Sequence, residues 1–453
     1  MPRYSASQPK NPSFYRRFFR LAFFNILSNL IVPLAGLIDL AFLGHLGDIR
    51  YFTGVALATI LFDYIYWTFG FLRMGTTGTT AQAAGRADAE GVLLTGLRNG
   101  LLALGLGLAI LVLQHPLREI GFTLLTAAPD VKASGQSYYN AWIWGAPATL
   151  INYVLIGWFV GREQGGRTLL LSAVANGTNI MLDYLFIVRW GWESSGAGAA
   201  TAIGQYLMLA VGLTLVYSEG WFGKIPSVAA RIFDNKELLA SFTLNGDILV
   251  RTLALISTFA LFTNLSSTLG TVVLATNTLL LQAVSLAAYF IDGIAFATES
   301  LGAVFQGQSQ SDSLRDSCAS HKASLMQLSG GTSLGFGLLF AIAFILFPKP
   351  IFGMLTDHVE VIERVNNYVL WLLPVLGFAS VAYMLDGYFL GLTEGAVLRK
   401  SMIVAALVGF APTATVAWQL QNNHVLWLAL SLFMAARALM LGRQAMISVI
   451  KGH

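Results

Sequence analysis

The chain has 453 residues, 56% of them hydrophobic and only 11% charged, with a net charge of +4 and a mean hydropathy of +0.66. Soluble domains carry about 25% charged residues, so composition excludes an ordinary soluble protein and points to a chain that crosses a bilayer many times. The positive charge is scattered and forms no basic tract, which argues against a nucleic-acid partner and leaves membrane lipid as the expected surrounding.

The opening segment, MPRYSASQPKNPSFYRRFFR, is basic, but a full-length apolar span follows it, with no short leader and cleavage site. A span needs about 20 apolar residues. Twelve such stretches occur, near 20–44, 52–75, 93–114, 137–160, 168–189, 195–218, 239–265, 272–300, 324–347, 365–390, 401–420 and 424–445. The expected organisation is a cytoplasmic segment (1–19), a first lobe (20–218), a linker (219–238), a second lobe (239–445) and a cytoplasmic tail (446–453). The connections near 219–238 and 301–323 are polar, and the single cysteine, Cys318, reads as part of the second loop.

Arginine and lysine fall mostly on one side of this layout. That side includes Arg16, Arg17, Arg20, Arg86, Arg162, Arg167, Arg399 and Lys400, whereas the other carries only Arg50, Arg118, Lys132, Arg189, Lys349 and Arg364. Basic loops stay in the cytoplasm, so both termini are expected inside.

The chain repeats itself. GWFVGREQG at 157–165 matches GYFLGLTEG at 387–395, a shift of 230 residues, and at that shift Tyr138 falls on Tyr368. Leu57-Ala58-Thr59 likewise resembles Leu274-Ala275-Thr276. An even number of spans per copy gives two parallel repeats about an axis along the membrane normal, a layout of secondary transporters. The expected fold is therefore all-α, with twelve transmembrane helices in two six-helix bundles.

Polar residues inside the spans carry the functional signal, because hydrocarbon tolerates them only against protein or water. Ser172, Asn176, Asn179 and Asp183 recur at helical spacing on one face of span 5. Asp39 in span 1, Asp183, and Thr201 in span 6 lie at similar distances from the outer ends of their spans, as one shared ion site would require. A desolvated carboxyl holds its proton tightly, and a neighbouring carboxylate strengthens that hold. Protonation near neutral pH then removes a buried charge and can shift helix packing. Oxygen ligands from Asn179, Thr201 and the carboxylates could equally hold Na⁺, so the coupling ion is H⁺ or Na⁺.

Asp247 and Arg251, four apart in span 7, read as an intrahelical ion pair that either lines a cavity or fixes packing, with Arg251 the deepest basic residue. Asp63, Asp292, Glu299 and Asp386 are further embedded acids, each lining a cavity or bridging helices, with Glu299 alternatively at the cytoplasmic mouth. Asn277 and Gln282 can add hydrogen bonds. Gly196, Ala200 and Gly204 form a small-residue ridge that would bring Thr201 near a neighbouring backbone. Pro33, six residues before Asp39, permits a kink. Aromatic residues such as Tyr64, Tyr66, Trp67, Trp142 and Trp144 serve either as a lining for cationic amphipathic ligands or as interfacial anchors. No histidine lies deep in a span, no Cys/His metal spacing occurs, and no nucleotide-binding loop is present, so neither metal nor organic cofactor is expected.

With PLAGLIDLAFLGHLG in span 1, FLRMGTTGTTAQAAGR after span 2, NGTNIMLDYLF in span 5, NGDILVRT in span 7 and YFIDGIAFATES in span 8, the chain resembles the MATE (multidrug and toxic compound extrusion) transporters, most closely their DinF-type branch. The resemblance implies two bundles around a central cleft and export of organic compounds driven by inward H⁺ or Na⁺. It implies a cation or proton site at Asp39, Asn179, Asp183 and Thr201. Phe24 stands where relatives commonly have a proline, leaving Pro33 as the hinge of helix 1. The other MATE branch puts acidic ligands in the second lobe, which Asp247 and Asp292 leave open.

The expectation is thus a plasma-membrane, non-enzymatic antiporter, monomeric, exporting small cationic or amphipathic organic compounds, with H⁺ favoured over Na⁺. The alternative is a lipid-linked saccharide flippase, which would need several embedded basic residues to meet a pyrophosphate. An intramembrane enzyme and a passive channel are the remaining rivals.

Overall fold

The computed structural model describes residues 12–46, 48–125, 127–310, 315–356 and 358–450. Among them are no strands and twelve helices long and apolar enough to cross a membrane. These are α1 (Phe14–Gly44), α2 (Ile49–Gly85), α3 (Ala89–Val112), α4 (Pro129–Gly161), α5 (Gly165–Arg189) and α6 (Glu193–Ser218). The second half supplies α7 (Asn235–Thr268), α8 (Thr271–Gln308), α9 (Ser317–Leu346), α10 (Val359–Gly391), α11 (Gly395–Leu420) and α12 (Asn423–Ser448).

Several helices run well past the lengths expected from hydropathy. At 1.5 Å per residue, the 38 residues of α8 extend about 57 Å against a hydrocarbon core of about 30 Å. The polar segment FLRMGTTGTTAQAAG continues α2, because Thr76, Thr77 and Thr79 return their hydroxyls to carbonyls four residues back and so need no water. The same overrun corrects the reading of Cys318. It lies near the start of α9 and is buried, not in a loop. The expected connection at 301–323 is helical to Gln308 and again from Arg315, and residues 311–314 lie outside the described set.

Two compact units emerge. One comprises residues 27–241. Its core packs Leu93, Leu155, Trp158, Phe159 and Leu171 with Trp221 and Val228, so the 219–238 connection folds as short turns onto this unit instead of hanging as a linker. Arg98 anchors it, donating to the carbonyls of Arg231 and Ile232. The other comprises residues 1–26 and 242–453. Its core is built on Phe262, Leu372, Leu376, Trp427 and Phe433, and a second cluster joins Phe14, Phe18 and Leu21 of α1 to Leu301, Phe305 and Leu325. The first part of α1 therefore packs with the second-half helices. The helix is continuous through Pro33.

The repeated glycine motif has one physical job in both units. A Cβ on Gly157 would lie 2.4 Å from the Arg73 carbonyl oxygen, and one on Gly161 2.6 Å from that of Thr77. In the other unit, Gly387 would meet the Ala295 carbonyl oxygen at 2.4 Å and Gly391 that of Glu299 at 2.3 Å. Only hydrogen fits there, so α4 lies against α2, and α10 against α8, backbone to backbone.

Candidate functional site

The first unit gathers the span 1, 5 and 6 residues. Gly204 brings α6 against α5, where a Cβ would meet the Ala175 carbonyl oxygen at 2.8 Å. Gly198 brings α6 against α4, with the Tyr138 carbonyl oxygen 2.4 Å from its would-be Cβ. The stripe on α5 faces this junction. Ser172, Asn179 and Asp183 are buried, and Asn176 is half-buried, donating to the Ser172 carbonyl at 2.8 Å. Regular α-helix ends at Asp183, and a π-helical turn, Tyr184–Arg189, follows. Such turns cluster at functional positions.

Asn179 Nδ2 donates to Asp183 Oδ2 at 3.1 Å and approaches Thr201 Oγ1 at 3.4 Å. The Thr201 hydroxyl donates to the Ala197 carbonyl at 3.0 Å. The Asp39 carboxyl, half-buried on α1, lies within hydrogen-bond reach of the Asp183 carboxyl. Asp39 Oδ1 and Asp183 Oδ1 are buried without a donor. Two carboxyls can bond to each other only when one of them carries a proton. All four expected residues are therefore together.

Two further residues join them. The Tyr138 hydroxyl on α4 lies within reach of the Thr201 hydroxyl and of Thr59 on α2. Sequence reading used Tyr138 only to align the repeat. Its match Tyr368 was the only signal, and the contact that matters is made between helices.

The embedded charges of the second unit pair differently from expectation. Asp247 and Arg251 do not pair with each other. Asp247 takes Arg399 Nη1 at 2.6 Å, and Arg251 turns to Asp386 on α10. Asp386 Oδ2 also accepts Arg437 Nη2 of α12 at 2.5 Å. Arg437, fully buried, stacks with Tyr383 and Phe433 at 5.1 and 5.5 Å. Arg251 is thus not the sole deep base, and Arg437 went unnoticed because it is a lone charge in the apolar run SLFMAARALM. Asp292 is half-buried and interacts electrostatically with Arg251. Glu299 is fully buried.

Asn277 sits in a closed network. It donates to Ser266 Oγ at 2.8 Å, exchanges amide bonds with Asn423, and accepts Trp427 Nε1 at 2.9 Å. Gln282 is exposed. Of the aromatics, Tyr66 and Trp142 pack on Phe62 in the core, whereas Tyr64, Trp67 and Trp144 are exposed.

The repeat does not copy the carboxyl pair. At the 230-residue shift Asp183 falls on Thr413, and at the shift aligning Leu57 with Leu274, Asp39 falls on Ile256. Nor does the Asp386 cluster have a first-half counterpart, since Ile156 and Leu207 stand at the matching places of Asp386 and Arg437.

Twelve apolar helices, a repeated architecture and a carboxyl pair held inside the spans define a multi-pass membrane transporter. The MatE family model matches residues 25–185 and 248–415, and the chain belongs to that family, whose members extrude drugs and toxic compounds and are not enzymes. DNA damage-inducible protein F of Escherichia coli is 34% identical over 93% of this chain and 90% of its own length. A probable multidrug resistance protein NorM of Thermotoga maritima is 22% identical over 78% of this chain and 74% of its own. An outward-facing multidrug resistance MATE transporter of the MOP superfamily superposes with a TM-score of 0.85 at 19% identity, covering 99% of this chain and 97% of that one. A MOP superfamily transporter from Pyrococcus furiosus gives 0.84 at 18%, with the same coverage.

Proposed function

We propose that the protein is a proton-driven antiporter of the plasma membrane, with both termini cytoplasmic, that exports cationic or amphipathic organic compounds by alternating access as a monomer. The Asp39–Asp183 pair, with Asn179 and Thr201, is its proton site. The observation that carries this is the contact between the half-buried Asp39 carboxyl and the buried Asp183 carboxyl, whose Oδ1 atoms both lack a donor among the described residues. H⁺ is favoured over Na⁺ because the two carboxyls can share a proton directly, with the Asn179 amide in this orientation lending its NH₂ group to Asp183 and Thr201. A bound Na⁺ would need oxygen ligands there.

Protonation of the pair permits the inter-carboxyl hydrogen bond between α1 and α5. Loss of the proton leaves two like charges in contact and drives the helices apart, with Pro33 as the hinge of α1. Protonation in the outward-open state would therefore repack α1 and expel the bound compound. The embedded guanidiniums of the second unit, Arg251 and Arg437, are both engaged by Asp386, which supports an export role over a pyrophosphate-binding flippase.

The test uses inside-out vesicles with an imposed proton gradient, ethidium as substrate and a ΔpH-sensitive dye. An Asp→Asn change imitates the protonated carboxyl but releases no proton. Ethidium-induced proton efflux in wild type is expected to fall to background in Asp39→Asn and in Asp183→Asn. Wild-type rates in both variants at equal expression would refute the proton site. A response that requires added Na⁺ would change the coupling ion.

A further inference from the structure

We propose that Asp63, together with Tyr64 and Trp67 on α2, forms the subsite that receives the positive charge of the exported organic cation, apart from the proton pair. The proposal rests on the export reading above and adds the residue that selects the substrate's charge.

The first part of α2 is a regular helix, Ile49–Thr68. Its buried face carries Val55, Ala58, Phe62 and Tyr66. The opposite face carries Ile60, Asp63, Tyr64 and Trp67, at helical steps of three, four and seven residues. Ile60 is 46% exposed, Tyr64 50% and Trp67 60%, and Asp63 is exposed with them. Asp63 lies fourteen residues after Ile49, about 21 Å along the helix, and so near the middle of a bilayer.

An exposed carboxylate at that depth cannot face lipid without a partner. Among the described residues Asp63 has no hydrogen-bond or ion-pair partner. Arg50, a base on the same helix, is held by Asp48 and Tyr51. Tyr153 on α4 is the neighbour that interacts with Asp63, electrostatically and without neutralising it. The face therefore meets water, and its charge awaits a mobile counter-ion.

The neighbours specify which one. Two exposed aromatic rings, one beside the carboxylate and one a turn beyond it, offer cation–π faces and flat apolar contact, the chemistry that holds a delocalised or quaternary organic cation better than a hydrated inorganic ion. The regular helix stops at Thr68, directly after Trp67. Thr59, which reaches Tyr138 of the proton site, lies one turn before Asp63. The substrate charge and the coupling proton thus have separate carboxylates on neighbouring levels.

The test measures ethidium and tetraphenylphosphonium binding to the purified full-length protein by fluorescence anisotropy and by competition. Asp63→Asn is expected to weaken both cations about tenfold or more, and Asp63→Glu to restore most of the loss. Trp67→Leu, at an exposed position, is expected to weaken them severalfold and stands on its own if the Asp63 variants do not fold. Wild-type affinity in Asp63→Asn, or in Trp67→Leu, overturns the subsite while gradient-driven ethidium export by wild type still upholds the export reading. Wild-type protein that neither binds nor exports either cation overturns both.

Discussion

Asp386 bridges two buried guanidiniums of the second unit, and its neutralisation is expected to destabilise that unit. Its Oδ2 accepts both Arg251 and Arg437. In Asp386→Asn the amide oxygen can still accept one hydrogen bond but the charge is lost: Arg251 keeps an electrostatic partner in Asp292, whereas Arg437 stays fully buried with no compensating anion, beside Met434 Sδ at 3.4 Å and two aromatic rings. Breaking a buried pair by removing one partner costs about 3–5 kcal/mol, whereas replacing the whole set by apolar side chains of similar size is neutral or stabilising. Asp386→Asn should therefore lower the melting temperature by roughly 10 °C, and the triple variant Arg251→Met, Asp386→Leu, Arg437→Met should recover it. The only cysteine, Cys318, is buried, so a thiol-reactive dye reads unfolding directly. A wild-type melting curve for Asp386→Asn would refute the compensating cluster. A triple variant that melts normally yet exports nothing would show that these charges do more than hold helices together.

Adding a methyl at Gly157 or Gly391 should cost about 1–3 kcal/mol, because each Cβ would press on a carbonyl oxygen of a neighbouring helix, while Gly246→Ala, with open space around it, should be neutral or slightly stabilising; comparing the three melting temperatures checks this, and equal losses would refute the packing argument. Burial pushes the carboxyl of Glu219, just past α6, up, but bonds from Arg162 and Trp221 and the charges of Arg162 and Arg167 outweigh that and hold it below its ordinary 4.5. A carboxyl depressed by folding stabilises above its unfolded pKa and loses that contribution as pH falls through the folded value. Wild type should therefore lose on the order of 1 kcal/mol more than Glu219→Gln between pH 6 and pH 3, and parallel melting profiles would sink the assignment.

Much of the architecture was readable because it is written in local patterns. Apolar length located the twelve spans, and a helical period of polar residues placed Asn179 and Asp183 on one face. The misreadings share a cause. The i, i+4 spacing of Asp247 and Arg251 suggested a pair, but such a pair gains only about 0.5 kcal/mol, and Arg399 and Asp386, more than a hundred residues away, offer each charge a partner on another helix. Cys318 reads as part of a loop because its neighbours are polar, yet a long helix leaving the membrane can be polar and still pack. Tyr138 joins the site across α4, α6 and α2, and no spacing within one helix records that.

The two halves show how the fold and the chemistry separate. Both copies keep the glycines that seat one helix on the next helix's carbonyls, at matching positions and nearly identical approach. That contact fixes backbone geometry, so it constrains each copy equally. The carboxyl pair belongs to the first half alone, with Ile256 and Thr413 at the corresponding places, and the Arg251–Asp386–Arg437 set belongs to the second alone. The charges of the second set are mutually bonded and out of reach of water. In the first set Asp39 Oδ1 and Asp183 Oδ1 lack a donor among the described residues, and on the proposed reading the two carboxyls meet when a proton arrives. On the proposed proton-antiport reading, the half that responds to the ion would be residues 27–241, and the mutually bonded charges of the second half would stay fixed.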